Sequence, residues 1–496
     1  MKKIQEYRKL ILRGCLLSVL MINATSCTKD LLDPTPITAI SDASAFDTPE
    51  RIVAQINGLY AAMKTGNFYG GRLIIYNELR GNEFIMNKPN LVTGQSTWSQ
   101  NVSAGTSEVG TLWSAGYNTI NKVNTFLDGL DKNKSKISTT LYANYVGEAK
   151  FVRALCYFAM LQMYAQPYQK DNGGSLGLII RLKAENSGAN QLLPRSTVAE
   201  TYTQILADLN DAETGLPLTY ASASLNTTRA NRNSAIALKT RVYLVKGDYP
   251  AVITESAKIV PAAAPFTAPS GVANKMEANV ATPFGGAYVG PEAVFSLPMT
   301  SLEAPGGQNS LAYYWNISPG NAEFYLNATG TLSDPVFGTT SVDARKGFIL
   351  TNTGQKWLTK FKVASTFHDY IPVIRYPEVL LNYAEAFARA GDPASLTRAR
   401  ALLAAVRNRS DATYVFSPLD VTTQAALITT ILQEKKIEFL GEGFRAPDLQ
   451  RLLQTLPGKS SPSGSAPAVT AAENRYIWPI PASETSINTA AIPNPQ

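Results

Sequence analysis

The chain has 496 residues, 45% of them apolar and 17% charged, with a formal net charge of +7. That balance excludes a disordered chain, and the length allows two or three ordinary domains or one extended α-solenoid with insertions. Five basic residues and one acidic fall within residues 1–26, so the remainder is near +3, too little and too scattered for a nucleic-acid partner.

Residues 1–26 are expected to be an export signal. Lys2, Lys3, Arg8, Lys9 and Arg13 precede the apolar run Gly14–Ile22, which is too short to stay in a bilayer as a helix. Ala24-Thr25-Ser26 before Cys27 resembles a bacterial lipobox, in which the cysteine becomes the acylated first residue, although Ala24 stands where leucine is usual. The alternative is ordinary signal cleavage and a soluble periplasmic protein. Cys15 leaves with the signal and Cys27 carries the lipid. Cys156, within RALCYFAMLQMY, is left without a partner and is expected to be a small buried hydrophobe.

Residues 27–43 are polar, contain Pro34 and Pro36, and suit an extended tether. Lys29 and Asp30 resemble the charged signal that sends Bacteroidetes lipoproteins to the cell surface. The ordered domain is expected over 44–496, starting with a helix at Ala45–Met63.

Helix pairs dominate three stretches, 111–165, 196–262 and 374–453. Ser234–Val260 and Glu378–Val406 look like copies of one unit. Aligning Gly247-Asp248 with Gly391-Asp392 ends an alanine-containing helix at glycine in both, with Pro250 or Pro393 opening the next. Leu112–Leu130 with Tyr142–Tyr164, and Val198–Leu209 with the Ser234 helix, extend the pattern. The expected fold is mostly α: about four tetratricopeptide-like helix pairs that bury their faces by stacking. They are interrupted by a large, irregular, loop-rich subdomain.

That subdomain comprises 66–110 and 265–370, which are rich in Gly, Ser, Thr, Asn and Pro and lack helical periodicity. Short strands are expected at Gly71–Tyr76, Ala293–Pro298 and Phe348–Leu350. Long loops on a rigid scaffold are where binding concentrates. Two loop patches combine aromatic faces with neighbouring amide or charged side chains. One is Trp98 with Asn101, near Tyr69, Arg72 and Tyr76; the other is Tyr313, Tyr314, Trp315 and Asn316, with Tyr325 beyond.

Near the C-terminus, Glu434, Glu438 and Glu442 fall four residues apart, on one face of an expected helix beside the apolar stripe of Leu427 and Ile431. They suit salt bridges to Arg445, Arg375, Arg407 or Arg409 better than acid/base chemistry. His368 is the only histidine and is expected to be structural, since one histidine makes neither a multi-histidine metal site nor, on proximity alone, a triad. Gly70-Gly71 and Gly173-Gly174 lack the setting of a phosphate loop and are expected to be turns. No catalytic residue, metal or cofactor is expected.

Five blocks in order resemble the SusD/RagB family of Bacteroidetes outer-membrane lipoproteins. They are GEAKFVRALCYFAMLQMYAQPY (147–168), RSTVAETYTQILADLNDAETGLP (195–217), IRYPEVLLNYAEAFARAG (374–391), EKKIEFLGEGFRAPDLQRL and the closing IWPIPASE. The resemblance implies four tetratricopeptide-like repeats and an irregular second subdomain. It also implies a lid on a SusC-like, TonB-dependent transporter, passing it nutrient, typically oligosaccharide. Aromatics from the same two loop regions form the ligand platform in similar glycan-binding members. A peptide cargo, or a protein-binding scaffold without a small-molecule site, are the alternatives.

Overall fold

A computed structural model describes residues 44–187, 192–318, 320–362 and 368–495. The signal, Cys27 and the tether lie outside the described residues. The chain divides into a leading unit ending at Ile52 and a body from Val53. In the leading unit, Arg51 donates to the Ser44 carbonyl at 2.9 Å and lies 3.6 Å from Asp47.

In chain order the elements are α1 (Pro49–Met63), α2 (Arg72–Leu79), β1 (Phe84–Met86), α3 (Gln95–Trp98), α4 (Ser107–Lys132) and α5 (Thr139–Tyr164). Then come α6 (Val198–Gly215), α7 (Ala223–Thr228), α8 (Arg232–Lys246), α9 (Tyr249–Ser256), β2 (Ala293–Leu297), α10 (Leu311–Trp315) and β3 (Phe324–Leu326). β4 (Ile349–Asn352), β5 (Gln355–Leu358), β6 (Ile371–Arg375), α11 (Tyr376–Ala390), α12 (Pro393–Ser410), α13 (Pro418–Val421) and α14 (Gln424–Glu438) follow. The chain closes with α15 (Arg445–Arg451), β7 (Lys459–Ser461), β8 (Gly464–Ala466) and α16 (Ala482–Thr485).

α4 to α6, α8 with α9, and α11 with α12 and α14 pack as successive helical neighbours. α5 is buried on every side over its C-terminal half, Phe151 to Tyr164 being buried apart from Gln162, as a helix with apolar residues all round must be. Cys156 lies in this stretch, and burial pushes its thiol up, leaving it inert. Buried ion pairs tie neighbouring helices: Arg153 to Asp208 at 2.7 Å between α5 and α6, and Arg241 to Glu378 between α8 and α11.

The two copies share their turn. Gly247 and Gly391 take the left-handed conformation, with φ of +78° and +82°. Asp248 and Asp392 then cap the next helix by accepting backbone N–H groups, ahead of a proline in the first turn. The copies differ beyond that point, because α9 has 8 residues and α12 has 18.

The strands form two-stranded antiparallel ladders: β1 with β3, β2 with β6, β4 with β5, and β7 with β8. β2 and β4 fall where strands are expected. Gly71–Tyr76 does not: it opens helix α2, in which every residue is buried. A short apolar run buried on all sides fits a helix as well as a strand, and periodicity cannot separate the two. α1 starts at Pro49 rather than Ala45, where proline suits the first turn. Among the described residues no helix is long and apolar enough to cross a membrane.

Candidate ligand-binding surface

The glutamate stripe belongs to the frame beneath the loops. α14 ends at Glu438, so Glu442 arrives through a turn in which Gly441 and Gly443 have φ of +82° and +85°. This corrects the expectation of three glutamates on one helical face; their side chains still converge. Glu438 pairs with Arg409 at 2.6 Å, Arg375 at 2.9 Å and Arg345 at 3.3 Å. Glu434 meets Arg345 at 2.6 Å and Arg407 at 3.2 Å, and Glu442 meets Lys360 at 2.7 Å and Arg375 at 2.8 Å. Glu292 and Asp343 complete the set through Arg375 and Arg345.

Five carboxylates thus face five cations, with every one of these side chains buried, which is the condition under which buried charge is tolerated. Burial raises the Glu438 carboxyl, but Arg409, Arg375 and Arg345 outweigh it and hold the group well below the usual carboxylate range. A carboxylate so held, and 1% exposed, cannot exchange protons with a substrate. Arg375, Arg407 and Arg409 are partners as expected. Arg345 and Lys360 come from the loop region, and no spacing in the sequence relates them to α14. Arg445 is corrected: its Nε lies 3.0 Å from Glu83 and outside the stripe. His368 is half-buried, and neighbouring Asp369 accepts a backbone N–H from Gly286 at 3.2 Å.

The two loop regions meet in an aromatic core. Trp98 donates its indole N–H to the Phe84 carbonyl at 2.9 Å, and the Trp315 ring stacks on Phe84 at 3.9 Å between centroids. Tyr314 lies parallel to Phe324 and donates to the Gln308 carbonyl at 2.9 Å; Tyr76 packs on Trp478. Trp98, Trp315, Tyr76 and Tyr314 are all 0% exposed. Tyr69, Arg72 and Asn316 are buried as well; Tyr69 lines a small cavity of about 60 Å³ with Arg241 and Glu378. None of these seven offers a free face to a ligand here, which corrects their place in the expected platform. An irregular subdomain must still bury a core, and its largest rings fill it first.

Asn101, Tyr313 and Tyr325 are the expected residues that reach the surface. Tyr325 sits mid-strand in β3, between the buried Phe324 and Leu326, so strand alternation turns it outward, edge-on to Trp357. The Tyr313 hydroxyl lies by the amides of Gln308 and Asn321, and burial raises its pKa. Lys88 donates to the Asn321 carbonyl at 2.7 Å. Behind Asn321 the fully buried Glu323 accepts from Asn321 at 3.0 Å, from Asn90 at 3.2 Å and from Thr93. A half-exposed ring bordered by amides and one ammonium, on a backbone pinned from below, is the geometry for holding a polyhydroxylated molecule by one ring face and several hydroxyls. Gln308, Asn321 and Lys88 carry no signature in the sequence and become visible only when the loops meet.

Stacked helix pairs that carry a rigid, aromatic-cored loop face make a binding scaffold. The family model described as "Starch-binding associating with outer membrane" matches residues 30–244, and that described as "SusD family" matches residues 351–496. A crystal structure of a SusD superfamily protein from Bacteroides fragilis is 32% identical, with a TM-score of 0.80, over 90% of this chain and 99% of that one. SusD-like protein P2 of Formosa agariphila is 23% identical over 96% of this chain and 97% of its own length. A laminarin-binding SusD-like protein shares the fold at 18% identity and a TM-score of 0.70, over 90% of this chain and 99% of that one. The chain belongs to the SusD/RagB family.

Proposed function

We propose that this protein captures oligosaccharide on the face around Tyr313 and delivers it, as a lid, to a SusC-like TonB-dependent outer-membrane transporter. It is held at the outer membrane, facing the exterior, by lipid on Cys27. The observation that carries the reading is Tyr313, half-exposed among the groups of Gln308, Asn321 and Lys88. Laminarin binding by a protein of the same fold supports a glycan as cargo. A binding role without turnover fits the pairing of each glutamate of the stripe with buried arginine or lysine. More than one acyl chain anchors stably, at about 0.8 kcal/mol per buried methylene.

The test is calorimetry with laminari-, malto- and xylo-oligosaccharides on the wild type and on Tyr313→Ala, together with affinity purification from the outer membrane. Glycan binding weakened at least tenfold by Tyr313→Ala, and a co-purifying barrel, are expected. Binding of peptides alone would overturn the glycan cargo, and a chain that purifies without a barrel would overturn the lid. Cys27→Ala is expected to release the protein from the membrane fraction.

A further inference from the structure

Glu323 stands behind the Tyr313 patch and is 0% exposed. Its side-chain partners are neutral donors from two separate loop stretches. Oε1 accepts from Asn321 Nδ2 at 3.0 Å and from Asn90 Nδ2 at 3.2 Å, and Oε2 accepts from the Thr93 hydroxyl. Its backbone carbonyl accepts the N–H groups of Asn87 at 2.8 Å and of Lys88 at 3.2 Å. One buried acid thereby fastens residues 87–93 to residues 321–323. An apolar side chain of the same size would fill the space at lower cost. The backbone beside Glu323 is strained as well. Ala322 has φ of +53°, the left-handed region that a Cβ disfavours and that marks functional sites when the surroundings enforce it. Here the Ala322 N–H donates to the Asn316 carbonyl at 3.1 Å, and its carbonyl accepts from Asn87 Nδ2 at 2.8 Å. The turn so held lets the side chains on either side of it, Asn321 and Glu323, meet.

That meeting fixes which way the Asn321 amide faces. Its nitrogen points to Glu323, and its oxygen lies 3.3 Å from Lys88 Nζ. Reversed, the amide would set oxygen against the acid's acceptor oxygen and nitrogen against the ammonium, two repulsions in place of two bonds. The amide nitrogen carries a second hydrogen and lies by the Tyr313 hydroxyl, as does the Gln308 amide; both act on that hydroxyl as donors. An oxygen that already accepts from amides meets a ligand with its own hydrogen. We infer that Glu323 is a positioning residue of the capture face: through Asn321 it sets the Tyr313 hydroxyl to donate, so that the sugar oxygen received there is an acceptor, such as a ring or glycosidic oxygen. The inference rests on the glycan-capture reading above.

The test is a set of double-mutant cycles on the full chain, read by calorimetry with laminari-, malto- and xylo-oligosaccharides. Tyr313→Phe keeps the ring and removes the hydroxyl. It is combined in turn with Asn321→Ala, which removes the relay, and with Glu323→Met, which removes its anchor. A third background, Glu323→Gln, is the conservative one, because its amide oxygen can replace Oε1 while its nitrogen donates to Thr93. Groups that act as a unit give effects that do not add. For the glycan the wild type binds most tightly, Tyr313→Phe is expected to weaken binding about fivefold in the wild-type and Glu323→Gln backgrounds, the worth of one hydrogen bond, and less than about twofold with Asn321→Ala or Glu323→Met. A Glu323 that only supports the fold would lower the melting temperature and leave the Tyr313→Phe factor as it is in the wild type. Should Glu323→Met fail to fold, the cycle with Asn321→Ala, at a half-buried position, decides. Two results overturn the inference and leave glycan capture standing: Tyr313→Phe binding as tightly as wild type, or a Tyr313→Phe factor unchanged by Asn321→Ala or by a folded Glu323→Met. Failure of the wild type to bind any of these glycans overturns both.

Discussion

Glu438→Gln tests whether the charged cluster is the keystone of the fold. The substitution keeps shape and one acceptor oxygen, which can still receive Arg409 and Arg375, the partners of Oε1 at 2.6 and 2.9 Å. The new amide nitrogen then faces Arg345 Nη1, which sits 3.3 Å from Oε2 in the wild type, donor against donor. Five buried cations are left with four carboxylates. Removing one partner from a buried ionic network costs about 3–5 kcal/mol. The low end applies, because Arg345 keeps Asp343 and Glu434, Arg375 keeps Glu292 and Glu442, and Arg409 keeps Glu292. A loss of about 3 kcal/mol is a hundredfold change in the unfolding equilibrium, at about 1.4 kcal/mol per factor of ten. It is read as a lower urea midpoint at unchanged slope by far-UV circular dichroism. The exposed pair Lys132–Asp128, at 2.6 Å, is the control, and Lys132→Ala should change stability by less than about 1 kcal/mol. A Glu438→Gln protein that unfolds within about 0.5 kcal/mol of the wild type, no further displaced than a typical surface variant, would show that the cluster is dispensable.

Acid should reach the same groups. Glu438 and Glu385 are held low in the fold, the latter with Arg451 and Lys435 outweighing its burial. Their stabilisation is therefore present above the unfolded carboxylate value of about 4.3 and fades as pH falls below it; melting temperature followed from pH 6 to 3 should drop steeply, and less so in Glu438→Gln. Glu78 behaves oppositely. Burial and then Glu83 push it up to about 8, while its Oε1 accepts from Gly443 and Phe444 and its Oε2 has no partner. The folded state then keeps a proton that the unfolded state releases above about 4.3, so this contribution declines as pH rises toward 8. Glu78→Gln, which mimics the protonated acid, should flatten the melting profile between pH 5 and 8, and a profile parallel to wild type counts against a protonated Glu78. Trp98→Ala and Trp315→Ala should each destabilise by about 3–5 kcal/mol in thermal melting, whereas Tyr313→Ala should reduce glycan binding with melting near wild type.

The repeats are legible in the sequence because their determinants are local. Gly-Asp-X-Pro and Gly-Asp-Pro both state a left-handed stop, a cap and a new first turn within four residues, and the structure places Gly247 and Gly391 accordingly. The ionic partners on α12 are legible for a related reason, since a buried glutamate demands a cation and Arg407 and Arg409 lie on the neighbouring helix. Arg345 and Lys360 are not legible, because they stand in the loop subdomain more than seventy residues before the glutamates they meet. The tryptophans show how loop chemistry misleads. Trp98 and Trp315 stand in glycine- and serine-rich stretches, where aromatics suggest exposure. Those stretches pair through β1 and β3, and the pairing creates an interior that neither possesses alone.

The cluster also limits how the loop subdomain can move against the helices. Arg345 and Lys360 reach into it from the loop subdomain, Arg375 from the end of β6, Arg407 and Arg409 from α12, and the glutamates from α14 and the turn after it. Lifting the loop face away from the helices would strip two of the five cations from three glutamates at once, in a buried setting where a single uncompensated charge costs several kcal/mol. Trp98 and Trp315, joined through Phe84, likewise lock the two loop stretches to each other. Flexing between the loop subdomain and the helices is therefore disfavoured. Under the proposed lid role, the body from Val53 would open as one rigid piece, and a ligand at the proposed Tyr313 site would travel without rearrangement of that site.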